Sequence, residues 1–294
     1  MKKIISLSLL VLTASFFWAC DEIDPPYIEG DPTPPVDTTE CPVPDFPDDT
    51  HHVKVVLLEE YTGHSCVNCP SAAKTAHDIQ VSYPEELIII AIHAGYFAQT
   101  EAPNYLLDLN TAVGTELHSD FGITNNPAAI FNRKEIGGNL IFEAPTAWEA
   151  TFLSAQSDVP ELDLQMIVNY DQTGNKACIH VQTEFLTDVS RNMKIAVYVT
   201  EDSIVGYQRN NNASVGTVPE ITDYIFMHVL RGSVNGTWGT ALNNAATTAG
   251  TKTISSFKLV PDAGWLTDRL HLVALVYDSD TDEVLQAVEK KLKP

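Results

Sequence analysis

The sequence predicts an α/β domain followed by an all-β sandwich domain, behind an exported N-terminus. Two apolar runs, 53–58 and 87–93, flank an alanine-rich helical segment, which is the pattern of a parallel β-α-β unit with a right-handed crossover. From about Pro160 onward, period-two alternation and turn residues replace the helical patterns. The folded part is also longer than one hydrophobic core usually accommodates, so we expect two domains, 51–158 and 159–294.

The first 19 residues have the layout of a secretory signal peptide. Lys2 and Lys3 precede an apolar run over 4–18, which is too short to span a bilayer comfortably. Cys20 follows Ala19 at the end of this run, where lipoprotein signal peptidase cuts and leaves a lipidated N-terminal cysteine. We therefore expect export and lipidation at Cys20. The alternative is an ordinary signal peptide with a chance cysteine.

The chain is strongly acidic, with a formal net charge of −22 at pH 7. Loss of residues 1–19 removes two lysines and no acid, so the mature chain is more negative still. Such a surface repels the phosphates of nucleic acids and the anionic headgroups of membranes. We therefore expect no nucleic-acid partner, and membrane attachment through an N-terminal lipid anchor.

Residues 21–50 have the composition of an extended linker. They contain ten acidic residues, eight of the seventeen prolines, and neither lysine nor arginine. A segment of this kind cannot bury enough apolar surface to offset the entropy lost on ordering. We expect residues 20–50 to be a lipidated, disordered tether, in which Cys41 is the one feature with a chance of being fixed.

In the predicted α/β domain, the first buried strand leads directly to Cys66 and Cys69. A helix follows, and Pro70 fits its first turn because the missing N–H costs nothing there. The remaining predicted elements are the helix over 70–79, the second strand over 87–93, a helix over 106–118, strands over 128–132 and 139–142, and a final helix over 145–157.

The predicted β domain starts with a hairpin, 162–168 and 179–183, around a turn at 172–175. Further strands are predicted over 194–200, 224–231, 252–259, 269–277 and 284–290. Strands at this spacing, with few helical patterns between them, indicate a β-sandwich. The acidic run 278–283 lacks the glycine and the distal glutamate of a calcium loop, so it predicts a hairpin turn.

The cysteine pair has the spacing of a thiol-disulfide exchange site. At a helix N-terminus, unsatisfied N–H groups and the helix dipole favour the thiolate of Cys66, which would attack while Cys69 resolves. The first alternative is a permanent, structural disulfide that crosslinks the start of the helix. A metal site with His64 or His93 is the second, although one such pair supplies only two ligands. We therefore predict no cofactor and no dedicated metal site.

The order of these features resembles thioredoxin-like proteins. About sixty residues after the cysteines, the segment 121–130 (Phe-Gly-Ile-Thr-Asn-Asn-Pro-Ala-Ala-Ile) is similar to the one in which a cis proline precedes a strand and faces the disulfide. The resemblance gives that place to Pro127. It gives the place of the family's buried acid to Glu60, which would accept or relay the proton of Cys69. The implied catalytic residues are therefore Cys66, Cys69, Pro127 and Glu60.

Four cysteines remain once Cys20 carries lipid, an even number that permits complete pairing in an oxidising compartment. Cys178 lies on the polar face of its predicted strand, where a free thiol outside the cytoplasm would be a liability. We therefore predict a Cys41–Cys178 disulfide that clamps the tether to the second domain. The alternative is an unpaired Cys178 buried between the domains.

Three features together resemble the Omp28-related outer-membrane proteins of Bacteroidetes. They are the lipoprotein start, the segment 59–70 (Glu-Glu-Tyr-Thr-Gly-His-Ser-Cys-Val-Asn-Cys-Pro) and the segment 228–232 (His-Val-Leu-Arg-Gly). The resemblance covers the chain from about residue 53 to the end. It implies a thioredoxin-like domain followed by an immunoglobulin-like β domain, on an outer-membrane lipoprotein without a settled activity.

Acidic residues directly after Cys20 are similar to the surface-export signals of Bacteroidetes lipoproteins: Asp21, Glu22 and Asp24. They imply the cell surface, and the periplasmic face of the outer membrane is the alternative. Two functions fit these expectations. One is thiol-disulfide exchange on exported proteins, in which Pro127 shapes the substrate groove. The other is a surface adhesin or binding module with a purely structural disulfide, because a fold does not determine a function. Neither identifies the protein substrate or partner.

Overall fold

The structure, a computed structural model, describes residues 40–48, 51–243 and 246–293. All of these residues belong to one compact unit. The predicted signal peptide, Cys20 and most of the predicted tether lie outside the described residues. Within the described part, the chain is mixed α/β, with many strands in several sheets and few helices, as the sequence predicts at this coarse level.

The helices are α1 (Cys69–Ser82), α2 (Ala112–Asp120) and α3 (Trp148–Gln156), with single 3-10 turns at Tyr96–Ala98, Pro145–Ala147 and Thr267–Arg269. The strands are β1 (Val56–Thr62), β2 (Leu87–His93), β3 (Ala128–Phe131), β4 (Leu162–Asp171), β5 (Lys176–Phe185), β6 (Met193–Glu201), β7 (Ile204–Arg209), β8 (Glu220–Phe226), β9 (Val229–Ser233), β10 (Thr240–Asn243), β11 (Lys252–Leu259), β12 (Leu270–Asp278) and β13 (Val284–Lys291).

One large sheet runs through both halves of the chain. Its order is β13-β12-β6-β9-β2-β1-β3, and β10 also pairs with β6. β1 and β2 are parallel, with Val56 opposite Leu87, and α1 forms the crossover between them. β2 meets β9 where Ala91 lies opposite Val229. Strands from before and after residue 158 hydrogen-bond with one another in this sheet. The division into two domains at residue 158 stays a prediction.

β1 is buried on both faces, which explains its continuous apolar run. Leu58 packs with Ala72 and Ala76 of α1 on one face. Leu57 and Tyr61 pack on the other face, in a core that also contains residues of β6 and β12. Glu60 shares its face with Leu58, because side chains alternate along a strand. This placement directs Glu60 toward α1.

A second sheet, β11-β5-β4, packs against the large one. Ile179 and Val181 of β5 belong to the same core cluster as Val197 of β6 and Leu272 of β12. The alternation that the sequence shows along β4 and β5 therefore reflects two sheets packed face to face. The acidic run after β12 forms the predicted hairpin turn, in which the Asp282 N–H donates to the Asp278 carbonyl over 2.9 Å.

The prediction of a single strand over 224–231 is wrong. The structure divides this stretch between β8 and β9, because His228 has a φ of 56°, which an extended strand does not accommodate. β7 and β10 were not predicted. The helix expected over 106–118 starts later, where the Thr111 hydroxyl caps α2 by accepting from the Gly114 N–H at 2.9 Å.

The predicted strand over 139–142 is reduced to isolated bridges, of which one joins Ala129 to Phe142. Among the described residues, we find no helix that combines the length and apolar character needed to span a bilayer.

A buried ion pair in the first half of the chain also contacts the second half. Arg133 and Glu59 have side chains that are 0% and 1% exposed, and Arg133 Nη2 lies 2.6 Å from a Glu59 carboxylate oxygen. Arg133 also donates to the Tyr198 hydroxyl at 3.2 Å, and its guanidinium carbon lies 5.6 Å from the Tyr277 ring centroid. The carboxylate and the ring faces together compensate a charge that has lost its water.

Candidate functional site

Cys66 and Cys69 form a disulfide at the start of α1. β1 ends at Thr62, so the pair lies at the carboxyl end of a central strand and at the first turn of a helix. Each cysteine is only 2% exposed. The disulfide therefore occupies the predicted strand-to-helix junction, but solvent does not reach it freely.

A hairpin from the second half of the chain covers this disulfide. We call residues 204–226 the cap hairpin; it consists of β7, β8 and the loop between them. The Arg209 N–H donates to the His64 carbonyl at 2.9 Å, and the Asn211 N–H donates to the Val67 carbonyl at 3.2 Å. The backbone N–H groups of alternate cap residues therefore donate to carbonyl groups of the cysteine segment, as they would in a strand added beside it.

Side chains of the cap hairpin add to these backbone contacts. Gln208 is 2% exposed, and its amide donates to the Cys66 carbonyl at 2.9 Å. The Asn211 amide donates to the Asn68 side-chain oxygen at 2.6 Å. Because most of the contacts are hydrogen bonds to polar groups, water can replace them if the hairpin opens.

A cavity of about 400 Å³ lies between α1 and the end of β8, beside the disulfide. Glu60, Cys69 and His93 line it together with Tyr224 and Phe226 of the cap hairpin. The cavity thus brings the predicted buried acid and the predicted resolving cysteine to one space, which the cap hairpin helps to enclose.

Both ionisable groups on the cavity floor are neutral near pH 7. Glu60 is 3% exposed, and burial raises its pKa to about 8. Burial, together with the neighbouring His64, lowers the pKa of His93 to about 3. Among the described residues, one Glu60 carboxyl oxygen and both His93 ring nitrogens have no hydrogen-bond partner of normal geometry. The floor of the cavity therefore offers unused hydrogen-bonding atoms on two uncharged side chains.

Replacing Glu60 with glutamine should remove a pH dependence of stability. The carboxyl pKa is raised in the folded chain, so the folded state holds a proton that the unfolded state releases above about pH 4.5. The contribution of Glu60 to the free energy of unfolding should therefore fall as the pH rises from about 4.5 through about 8, so the difference between the wild type and Glu60→Gln should change across this range. Urea denaturation across this range checks the expectation. Parallel curves for the wild type and Glu60→Gln would contradict it.

Pro127 lies directly before the strand that neighbours β1. The Asn126–Pro127 peptide bond is cis, and Pro127 directly precedes β3. Its neighbour Ala128 lies opposite Tyr61 in the β1–β3 register, which places Pro127 near the end of β1 that leads to the cysteines. Pro127 is not among the described residues that line the cavity.

The two histidines of the metal alternative lie in different surroundings. The His64 Nε2 atom lies 2.8 Å from the Gln99 carbonyl oxygen, and the ring stacks on Tyr105. His93 faces the cavity instead. Within the described ranges, no group of three or more His, Cys, Asp or Glu residues is arranged to hold a metal ion.

Cys41 and Cys178 form the other disulfide, with Cα atoms 5.6 Å apart. Cys41 is 1% exposed, and the preceding Glu40 forms an ion pair with Lys258 at 2.6 Å. Lys258 lies opposite Cys178 in the β11–β5 register. The end of the predicted tether is therefore fixed to the second sheet by a covalent bond beside an ion pair.

The sequence did not reveal two parts of the site. The amide-rich stretch that includes Gln208 and Asn211 contacts a segment about 140 residues earlier, and no local pattern indicates that contact. Tyr224 and Phe226 are the second part, since the sequence predicted only a strand over 224–231 for them. The break at His228 that separates these cavity residues from β9 is visible only in the structure.

Comparison with known proteins identifies the family. A model of the family described as outer membrane protein Omp28 matches residues 115–294, more than half of the chain. A search of curated protein sequences finds no significant match.

Among solved structures, HBP35 of Porphyromonas gingivalis is similar, at 17% identity and a TM-score of 0.61, over 83% of this chain and 77% of its own. At this identity the likeness shows the fold alone. A domain of the outer membrane lipoprotein Omp28 from Porphyromonas gingivalis is 22% identical over 47% of this chain and 92% of its own, with a TM-score of 0.31. On the family match over residues 115–294, the chain belongs to the Omp28 family of outer membrane proteins.

Proposed function

We propose that this chain is an outer-membrane lipoprotein, anchored by lipid at Cys20, that carries out thiol-disulfide exchange on exported proteins. The observation that carries the proposal is the Cys66–Cys69 disulfide at the start of α1, beside a cavity that also holds the neutral carboxyl of Glu60. A helix N-terminus stabilises the thiolate of the first cysteine. A buried acid with a pKa of about 8 can exchange a proton with the second.

The arrangement of elements supports a thioredoxin-like identity for the first part. β1, α1 and β2 form a parallel unit, and β3 runs antiparallel to β1 directly after Pro127. α3 then packs on the same face of the sheet as α1. Two packed sheets in the second half support the immunoglobulin-like assignment at the level of a sandwich.

Oxidation of a substrate dithiol would proceed in two steps. A substrate thiolate attacks Sγ of Cys66, the Cys66–Cys69 bond breaks, and Cys69 leaves as a thiolate that takes the proton of Glu60. A second substrate thiolate then attacks the substrate sulfur bound to Cys66 and displaces the Cys66 thiolate. Two electrons pass from the substrate to the cysteine pair, and the substrate leaves with a disulfide. The reverse sequence reduces a substrate disulfide.

Exchange with a protein substrate requires the cap hairpin to move. At 2% exposure, Cys66 offers no path for in-line attack by an external thiolate. Gln208 is the buried side chain that holds the cap to the Cys66 carbonyl. Loss of this hydrogen bond should favour the open form by about fivefold, which corresponds to about 1 kcal/mol.

An insulin-reduction assay and a glutathione titration on the purified chain test the proposal. We expect turnover by the wild type, none by Cys66→Ser, and reduction of the Cys66–Cys69 bond about fivefold faster in Gln208→Ala. Gln172→Ala, in the exposed turn between β4 and β5, is the matched control and should behave as the wild type. Absence of turnover, together with a bond that glutathione leaves intact in both the wild type and Gln208→Ala, would sink the exchange function.

The second candidate function is a surface adhesin or binding module in which this disulfide is structural. Burial of both cysteines beneath the cap hairpin favours it, because a permanent crosslink needs no access. The same titration separates the two functions. A redox potential near those of known oxidoreductases would support exchange, and one below about −300 mV would support the structural role.

A further inference from the structure

The cavity beside Cys69 has features that thiol-disulfide exchange does not need. Its floor is the face of β1 and β2 that points toward α1. In the parallel register Glu60 lies opposite Ala91, and Thr62 lies opposite His93. Ala91 therefore lies beside Glu60 and on the same face as His93, and its small side chain leaves space above the sheet.

Several polar atoms on this floor lack a hydrogen-bond partner of normal geometry in the part of the chain that the structure describes. One Glu60 oxygen and both His93 nitrogens are buried without a hydrogen bond of normal geometry among the described residues. Glu60 and His93 are each 3% exposed. Leaving a buried donor or acceptor unsatisfied costs about 1–3 kcal/mol. A bound molecule that supplies the missing hydrogen bonds recovers this free energy.

Above this floor, the walls of the cavity are mostly apolar. Ala73 and Ala76 of α1 face Phe226 across the space, and Ile89 lies beside them. At the rim, Met227 is 42% exposed. A volume of about 400 Å³ falls in the range of small-molecule sites, which are typically apolar with a few convergent polar groups.

The charge state of the floor defines the class of ligand. Because Glu60 and His93 are both neutral near pH 7, neither offers an ion pair to a charged molecule. Burying an unpaired charge in such a space would be costly. A neutral carboxyl and a neutral imidazole each donate one hydrogen bond and accept another, so they match a group that does the same.

We propose that this cavity binds an uncharged, largely apolar small molecule through a hydroxyl, amide or aromatic amine group that hydrogen-bonds to Glu60 and His93. The ligand enters at the rim between α1 and the cap hairpin and rests its apolar part on Phe226 and the alanines of α1. This site goes beyond the proposed exchange function, and it stands equally if the Cys66–Cys69 disulfide is only structural.

Fluorescence titration with N-phenyl-1-naphthylamine tests the site, because this probe is uncharged, mostly apolar and carries one N–H donor. We expect saturable binding to the full chain with a blue shift of the emission. Ala73→Phe places a ring in the cavity from a partly exposed helix position and should weaken binding roughly tenfold or more. Ala150→Phe, the same change on the exposed face of α3, should leave binding unchanged.

A second variant tests the polar part of the site. His93→Phe removes both ring nitrogens and keeps a flat ring of similar size, so it should weaken probe binding roughly tenfold through the lost hydrogen bond. Circular dichroism and urea denaturation establish that each variant is folded. Absence of saturable binding by the wild type would overturn the proposal, and so would equal affinities of folded Ala73→Phe and Ala150→Phe. Retained insulin turnover in Ala73→Phe would show that the two functions are separate.

Discussion

Replacing Arg133 with methionine should lower the free energy of unfolding by about 3–5 kcal/mol. The change leaves the Glu59 carboxylate without its partner at a position that is 1% exposed. It also removes the donor to Tyr198 and the cation packed near the Tyr277 ring. An uncompensated buried charge, rather than the loss of attraction itself, accounts for most of the expected effect.

A double variant separates two free energies: the penalty of leaving one buried charge unpaired, and the net contribution of the ion pair to stability. Arg133→Met combined with Glu59→Leu removes both charges, and we expect it to be more stable than Arg133→Met alone. Arg191→Met is the matched control, because Arg191 pairs with Glu161 at the surface and should contribute about 0–1 kcal/mol. Urea denaturation measures all three variants. An Arg133→Met effect no larger than that of Arg191→Met would show that the buried pair is not critical.

Removing the Cys41–Cys178 disulfide by a double alanine substitution should cost about 2–5 kcal/mol. The two cysteines are separated by 137 residues, so the crosslink restricts a long loop in the unfolded chain. The entropy of loop closure gives about 5 kcal/mol for such a loop. The Cys66–Cys69 bond spans only 3 residues, and the same relation gives about 2 kcal/mol for it.

The comparison between the two disulfides is therefore a direct test. We expect the Cys41→Ala/Cys178→Ala variant to unfold at lower urea concentration than Cys66→Ala/Cys69→Ala. A nonreducing peptide map of the wild type establishes the pairing beforehand. If the Cys41→Ala/Cys178→Ala variant were the more stable of the two, the Cys41–Cys178 bond would not stabilise the fold by restricting the entropy of the unfolded chain.

Local patterns were enough to predict the elements around the site. The apolar runs of β1 and β2, with an alanine-rich helix between them, predicted a parallel unit that the structure contains. Their sequences carry this information because a strand buried on both faces has to be apolar throughout. The pairing of β2 with β9 was not predictable in this way, since it joins Ala91 to Val229 and leaves no periodic signal.

The residues of the site also divide into those that the local sequence predicted and those that it did not. Cys66, Cys69 and Glu60 are close in sequence and lie together in the fold. The roles of Gln208 and Arg133 depend on contacts with residues more than 70 positions away. A polar residue in a sequence is normally expected at the surface. Only the tertiary structure shows that these two are buried with a partner.

Both ends of the cap hairpin are held in the large sheet, since β6 precedes it and β9 follows it. The hairpin can therefore detach from the disulfide and still remain close to it. It competes, within the same molecule, with any external protein for binding to the cysteine segment. Short flexible linkers give effective concentrations in the millimolar range. A protein that exchanges disulfides here would have to outbind that competitor, so the cap would select substrates by affinity before any bond is broken.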